Sequence, residues 1–121
     1  MRHRLLTIAA GVVVATTLVA AQPAPITSAE PFKLGTFDID GRPAVGLVLR
    51  DSLVVDIAAA NRAFERAPAV VSMPMPGDMR ALIGRYEYGV SRRLYELVND
   101  LVASGRLSGA SRPGYVHDLG K

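Results

Sequence analysis

Residues 32–60, FKLGTFDIDGRPAVGLVLRDSLVVDIAAA, decide the fold of this chain. Asp40-Gly41 supplies the positive φ angles that a tight reversal needs, and apolar runs lie on both sides of it. A second reversal follows at residues 50–52, before another apolar run. The strands predicted from this pattern are 33–37, 44–49 and 53–57. The stretch therefore predicts a three-stranded antiparallel meander that ends by running into a helix.

Helix signals and helix breakers alternate in the second half of the chain. A short helix is predicted over 58–66, and the X-Pro pairs within residues 69–77 predict a loop after it. Asp78 is a natural N-cap for the next predicted helix, 78–84. Apolar residues then recur at steps of three and four over 90–102. This period predicts a longer amphipathic helix.

Together these elements predict an α+β domain, in which a small antiparallel meander sheet packs with two or three helices. Residues 115–119 are predicted as a last strand. The predicted core consists of Phe37, Val45, Leu47, Val55, Leu94, Leu97, Val98 and Leu101. Arg92 and Arg93 are predicted to form a solvated helix face, with a binding patch as the alternative, and to pair with Glu96. The apolar side chains predicted to lie on the fold or on a partner, and to be exposed if a partner domain is missing, are Val70, Val71, Met73 and Met75. Those predicted to pack are Tyr86, Tyr88 and Tyr95.

Length and composition limit the classes of protein to which the chain can belong. Its 121 residues fit one domain. The absence of cysteine excludes a disulfide framework, a thiolate metal site and a cysteine nucleophile. The formal net charge of +3 includes Arg2 and Arg4, and residues 22–121 carry 12 basic and 11 acidic side chains. Because the basic residues are scattered among acids, we predict no nucleic-acid partner.

The N-terminus has the three parts of a secretory signal peptide: a basic start, an uncharged apolar run over 5–21, and small residues at its exit. The predicted organisation is a signal peptide at 1–21, a Pro-rich linker at 22–31 and a folded domain at 32–121. Cleavage as late as Ala29 is the alternative exit. The predicted location is periplasmic or secreted, with only transient membrane contact through the signal peptide. A retained N-terminal membrane anchor is the alternative, for which the run is at the short limit.

Few side chains are candidates for chemistry. His117 is a candidate general base or metal ligand. Because a metal site needs three or more ligands, the favoured interpretation is that His117 is simply a strand residue. The candidate ligands for a hard cation are Asp38, Asp40 and Asp51. Position twelve of a calcium loop starting at Asp38 is Leu49 rather than glutamate, so turn chemistry explains these residues better. No catalytic, cofactor-binding or metal-ligating residue is predicted.

The order of short motifs resembles a known family. K-L-G-T-F, D-G-R-P, V-G-L-V-L and V-V-D-I-A-A-A-N, within residues 33–61, are similar to the small N-terminal domain of the fumarylacetoacetate hydrolase family. The sequence M-R-A-L-I-G at 79–84, the amphipathic helix after it, and Y-V-H-D-L at 115–119 continue the resemblance. It covers residues 32–119, nearly everything after the N-terminal segment.

The resemblance implies that this chain is a non-catalytic domain. In that family the active site lies in a larger C-terminal domain, which holds Mg²⁺ or Mn²⁺ through a Glu-x-Glu pair and a further acid, with a G-x-N-Y-x-x-H segment. Neither motif occurs in this sequence, so no catalytic residue is carried over and the chain alone is predicted to be inactive.

Two hypotheses of function follow. In the first, the chain is the N-terminal, active-site-flanking or assembly domain of an enzyme that acts on C–C bonds of small β-diketo or 2-oxo acids. It is then truncated before its catalytic domain, and its partner is that domain or another copy of the chain. In the second, it is a self-contained exported binding or interaction domain with no enzymatic activity.

Overall fold

The computed structural model of this protein describes residues 12–18 and 25–120. Most of the predicted signal peptide therefore lies outside the described residues. Its described part, 12–18, is exposed and has no regular secondary structure. Among the described residues, no helix combines the length and the apolar character that crossing a membrane requires.

Four antiparallel strands form one sheet in the order β1-β2-β3-β4. They are β1 (Phe32–Ile39), β2 (Arg42–Leu49), β3 (Leu53–Asp56) and β4 (Val116–Asp118). The first hairpin turns through Asp40 and Gly41, at φ of 53° and 76°, the left-handed region that a two-residue turn requires. The predicted meander and last strand are confirmed. β1 and β2 are longer than predicted, because so short a turn leaves Ile39 paired with Arg42.

Three helices follow or interrupt the strands: α1 (Ile57–Phe64), α2 (Met79–Arg85) and α3 (Ser91–Ala103). The Asp56 carboxylate caps α1 by accepting two backbone N–H groups, at 3.1 and 3.2 Å, and Asp78 caps α2 at 2.8 Å. A wide turn over 86–90 separates α2 from α3, and Gly89 at its centre has a φ of 104°. The predicted α+β class is confirmed.

The core lies between α3 and the inner face of the sheet. The predicted members that it contains are Val45, Leu47, Val55, Leu94, Leu97, Val98 and Leu101. Ile57 of α1, Leu82 of α2 and Val116 of β4 belong to the same cluster. Each helix therefore contributes apolar area, and burying one such side chain stabilises a fold by about 1.5–3 kcal/mol.

Phe37 is the exception to the predicted core, because it lies on the outer face of the sheet. Side chains alternate along a strand, so Phe32 packs towards the helices whereas Phe37 points to the other side. The ring covers Gly46, where a Cβ atom would come within 2.6 Å of both Phe37 and Val54. Ile39, Val48 and Val54 surround it in a second, smaller cluster. The prediction that Phe37 joins the helix-facing core is wrong.

Residues 27–30 form a strap that is bound to α3 and to the second turn of the meander. The amide of Asn99 donates to the Thr27 carbonyl at 2.8 Å and accepts the Ala29 N–H at 2.6 Å. Both carboxylate oxygens of Glu30 then bind Arg50, which lowers the pKa of Glu30. The strap, although predicted as linker, therefore packs against the domain.

Candidate functional site

The candidates singled out from the sequence lie on the outer face of the sheet. His117 of β4 is paired with Val54 of β3, and it lines a depression of about 180 Å³ together with Asp38, Asp40 and Asp118. Asp51 lies apart from this depression, where its carboxylate pairs with Lys33 at 2.7 Å. The structure therefore brings two of the three hairpin aspartates near the histidine and leaves the third elsewhere.

The acidic side chains of this depression have structural roles in a turn and at the end of a strand. Asp40 occupies the left-handed turn position, and the Asp118 carboxylate accepts a bond of 3.0 Å from Arg112. Within residues 12–18 and 25–120, no group of three or more His, Asp or Glu side chains is placed to hold a metal ion.

The most elaborate polar arrangement is centred on Arg93 of α3. This residue was predicted on a solvated helix face, and that prediction is wrong, because only 6% of Arg93 is exposed. Its Nη1 donates to Asn61 Oδ1 at 2.6 Å and to Glu65 Oε1 at 3.0 Å, and its Nε donates to Glu96 Oε2 at 3.1 Å. Its Nη2 donates to the backbone carbonyl of Val71. The predicted pairs of Arg92 and Arg93 with Glu96 are both present.

Asn61 and Glu65 of the α1 region extend this network to the loop that follows. The Asn61 amide donates to Glu65 Oε1 and to the Met73 carbonyl, both at 3.0 Å. Glu65 accepts the Met73 N–H at 2.7 Å and the Ser72 hydroxyl at 3.2 Å. We call Asn61, Glu65 and Arg93 the clasp. It fastens loop residues 71–73 to two helices.

Hydrogen bonds favour the charged form of the Glu65 carboxylate, and packing against an aromatic ring helps to hold Arg93 in place. The Met73 N–H is the largest cause of a lowered pKa at Glu65, and the Asn61, Arg93 and Ser72 bonds act in the same direction against the effect of burial. The guanidinium carbon of Arg93 lies 5.5 Å from the centre of the Phe64 ring, within cation–π range. In the described part of the chain, no buried side-chain polar atom lacks a hydrogen-bond partner. Every buried side-chain polar atom of the clasp is therefore hydrogen-bonded.

A groove of about 380 Å³ opens beside the clasp. The residues that line it are Ala69, Val70, Val71, Met73, Gly89, Arg92, Arg93 and Glu96. Val71 is 79% exposed while its carbonyl is bound to Arg93. Met73 and Met75 were predicted to be exposed, but both pack partly against the core, so that prediction holds fully only for Val71.

The tyrosines behave in two different ways. The Tyr95 ring packs edge-on against Phe32, with ring centres 5.9 Å apart. Tyr86 is half-buried beside it, and burial followed by a hydrogen bond with the Tyr95 hydroxyl raises the pKa of Tyr86. Tyr88 is 86% exposed, so the prediction that it packs is wrong. It precedes the kink at Gly89 and therefore stands next to the groove.

Sequence reasoning did not identify the clasp. One local signal was present, since Asn61 and Glu65 lie four residues apart and therefore on one face of a helix. Polar residues placed beside an apolar stripe indicate a partner from elsewhere in the fold. Arg93 lies 32 residues from Asn61 and 22 from Val71 along the chain, and no local pattern connects them.

Comparison with known proteins gave no relative of this chain. No family model, no curated protein and no solved structure matches it.

Proposed function

We propose that this chain is the non-catalytic N-terminal domain of a fumarylacetoacetate hydrolase-like enzyme. It would flank or help to assemble the active site of a separate catalytic domain, which acts on C–C bonds of small β-diketo or 2-oxo acids. The Mg²⁺ or Mn²⁺ of that reaction belongs to the catalytic domain, and no residue of this chain is assigned to it. The proposal starts from the motif order within residues 33–61 and 115–119.

One structural observation supports an assembly role. The clasp fixes an exposed loop through four hydrogen bonds to residues 71–73. Val71 projects from this loop into solvent. Because the backbone that carries Val71 is already held in place, little conformational entropy is lost if a partner binds there.

The test combines this chain with a catalytic domain of the same enzyme class whose own N-terminal domain has been deleted. In the presence of Mg²⁺, we expect the two to co-elute and hydrolysis of an acylpyruvate to increase, while this chain alone shows no turnover. Val71→Asp should abolish co-elution, whereas Leu119→Asp, an exposed apolar position outside the groove, should not. Metal-dependent turnover by this chain alone, lost in His117→Ala, would overturn the proposal and make His117 catalytic.

A self-contained binding domain is the second candidate, and the groove beside the clasp favours it. The two candidates differ in how the isolated domain behaves. A domain separated from a catalytic partner should self-associate or bind a hydrophobic dye in its native state. A monodisperse monomer that does not bind the dye supports the self-contained domain.

Export to the periplasm or the exterior is a further proposal, with a retained membrane anchor as its alternative. Cleavage after Ala21 keeps the strap, whereas cleavage after Ala29 removes Thr27 and the Ala29 N–H that Asn99 binds. We therefore expect a mature chain that starts at Gln22. Intact-mass spectrometry of fractionated cells measures this. A full-length cytosolic species contradicts export, and a full-length membrane-bound one identifies the anchor.

A further inference from the structure

The charges of the described chain are divided unevenly. Residues 57–93, which include α1, the clasped loop and α2, contain six arginines and three acids. Residues 25–56 and 94–120 contain five basic and eight acidic side chains. The helical segment therefore has a formal charge of +3 and the rest of the described fold has −3.

The positive charge of the helical segment is mostly uncompensated. Two of its three acids are engaged locally, because Glu65 belongs to the clasp and Asp78 caps α2. Within this segment, the arginines that form no ion pair with another described residue are Arg62, Arg66, Arg80 and Arg85. Unpaired cations concentrated in one segment of a small domain create a field that attracts anionic surfaces.

Exposed apolar side chains are concentrated in the same segment. In residues 25–120 the large apolar side chains with strong exposure are Val71, Ile83, Tyr88 and Leu119. Three of these four lie within 57–93, and Val71 lines the groove while Tyr88 adjoins it at Gly89. Arginine and aromatic side chains together are the composition that binding surfaces favour.

Arg92 places a cation at the groove that can bind an anionic partner. Its Nε is bound to Glu96 at 3.1 Å, but its side chain is 64% exposed and its terminal nitrogens have no partner among the described residues. Arg93, in contrast, is held inside the clasp. The groove therefore joins an apolar wall, made by Val70, Val71 and Met73, to a free guanidinium edge.

We infer that this groove binds an acidic polypeptide segment of a partner protein that carries apolar side chains next to its carboxylates. The apolar side chains pack between the clasped loop and Gly89. A neighbouring carboxylate pairs with the terminal nitrogens of Arg92, and the net positive charge of residues 57–93 attracts the rest of the segment. This inference does not depend on the enzymatic assignment, since it uses only the charge and shape of the groove.

The test uses the full chain and two short fluorescein-labelled peptides, one with Glu and Asp flanking two leucines and one with Lys in place of each acid. Fluorescence anisotropy at low ionic strength should show binding of the acidic peptide only, and added salt should weaken it. Arg92→Ala and Val71→Asp should each weaken binding about tenfold, the effect of one interface anchor. Both residues are exposed, so circular dichroism should show unchanged folding.

Arg42→Ala is the matched control, because Arg42 is an exposed arginine in the first hairpin and does not line the groove. It should leave the affinity for the acidic peptide unchanged. Equal loss in Arg42→Ala and Arg92→Ala would overturn the inference, and so would equal binding of both peptides or binding of neither. Displacement of the peptide by a single-stranded oligonucleotide at the same charge concentration would assign the surface to polyanions in general.

Discussion

Replacing Arg93 with alanine should lower the free energy of unfolding by about 1.5–3 kcal/mol, because a buried guanidinium that donates charge-assisted hydrogen bonds is lost. Arg93→Ala removes the Arg93 donor from Asn61 and from Glu65, which keeps the Met73 N–H, and it frees the Val71 carbonyl. Urea denaturation followed by circular dichroism measures the loss. Hydrogen exchange should in addition show faster exchange at the Met73 N–H, which Glu65 holds at 2.7 Å.

Arg92→Ala is the matched control for this experiment. Arg92 is the neighbouring arginine and shares Glu96 with Arg93, but it is mostly exposed. An exposed pair contributes under about 1 kcal/mol, so the two variants should differ severalfold in their effect on unfolding. Similar losses in both variants would show that burial in the clasp is not what makes Arg93 important.

The contribution of the clasp to the free energy of unfolding should also depend on pH. The direction of this dependence is set by the lowered pKa of Glu65. Its pKa is lowered in the folded state, first by the Met73 N–H. The stability it contributes is therefore fully present above the ordinary glutamate pKa and is lost as pH falls towards the lower folded value. The gap in unfolding free energy between wild type and Arg93→Ala should narrow in that acidic range.

Leu97→Ala should lower the free energy of unfolding by about 2–5 kcal/mol. Leu97 is 4% exposed and packs in the cluster between α3 and the sheet. Removing its three outer carbon atoms loses burial and leaves a cavity. A domain of this size has roughly 5–15 kcal/mol of stability in total, so this one change removes a large share.

Ile83→Ala is the control for the core variant, since it truncates a similar side chain that is exposed on α2. We expect its unfolding free energy to stay within about 0.5 kcal/mol of wild type. Thermal and urea unfolding of both variants measure the difference. A Leu97→Ala protein as stable as Ile83→Ala would mean that α3 does not close the core.

Local sequence patterns predict the elements of this fold well. The Asp40-Gly41 turn, the N-cap at Asp78 and the apolar steps over 90–102 each act within a few residues, and each has its predicted counterpart in the structure. The error at Phe37 has a simple cause. An aromatic residue in an apolar strand does not reveal which face is covered by helices, and here both faces carry apolar clusters.

The clasp could not be predicted from such patterns. A helical wheel places Arg93 beside the apolar stripe of α3, but only the packing of α1 against α3 brings Asn61 and Glu65 to it. The loop over 69–77 is defined in the sequence by its prolines, which indicate where helices stop and not where the loop lies. Its position depends on contacts between residues far apart in the chain.

The strap at residues 27–30 has a consequence for the order in which the domain assembles. Asn99 binds groups that are 70 and 72 residues earlier in the chain, so the contact closes a very long loop. The entropic cost of closing a loop rises with its length, so contacts between residues far apart in the chain form after local ones. The β1–β2 hairpin and α3 can therefore be complete while the strap is still detached, and residues 27–30 are among the last of the domain to be fixed in place.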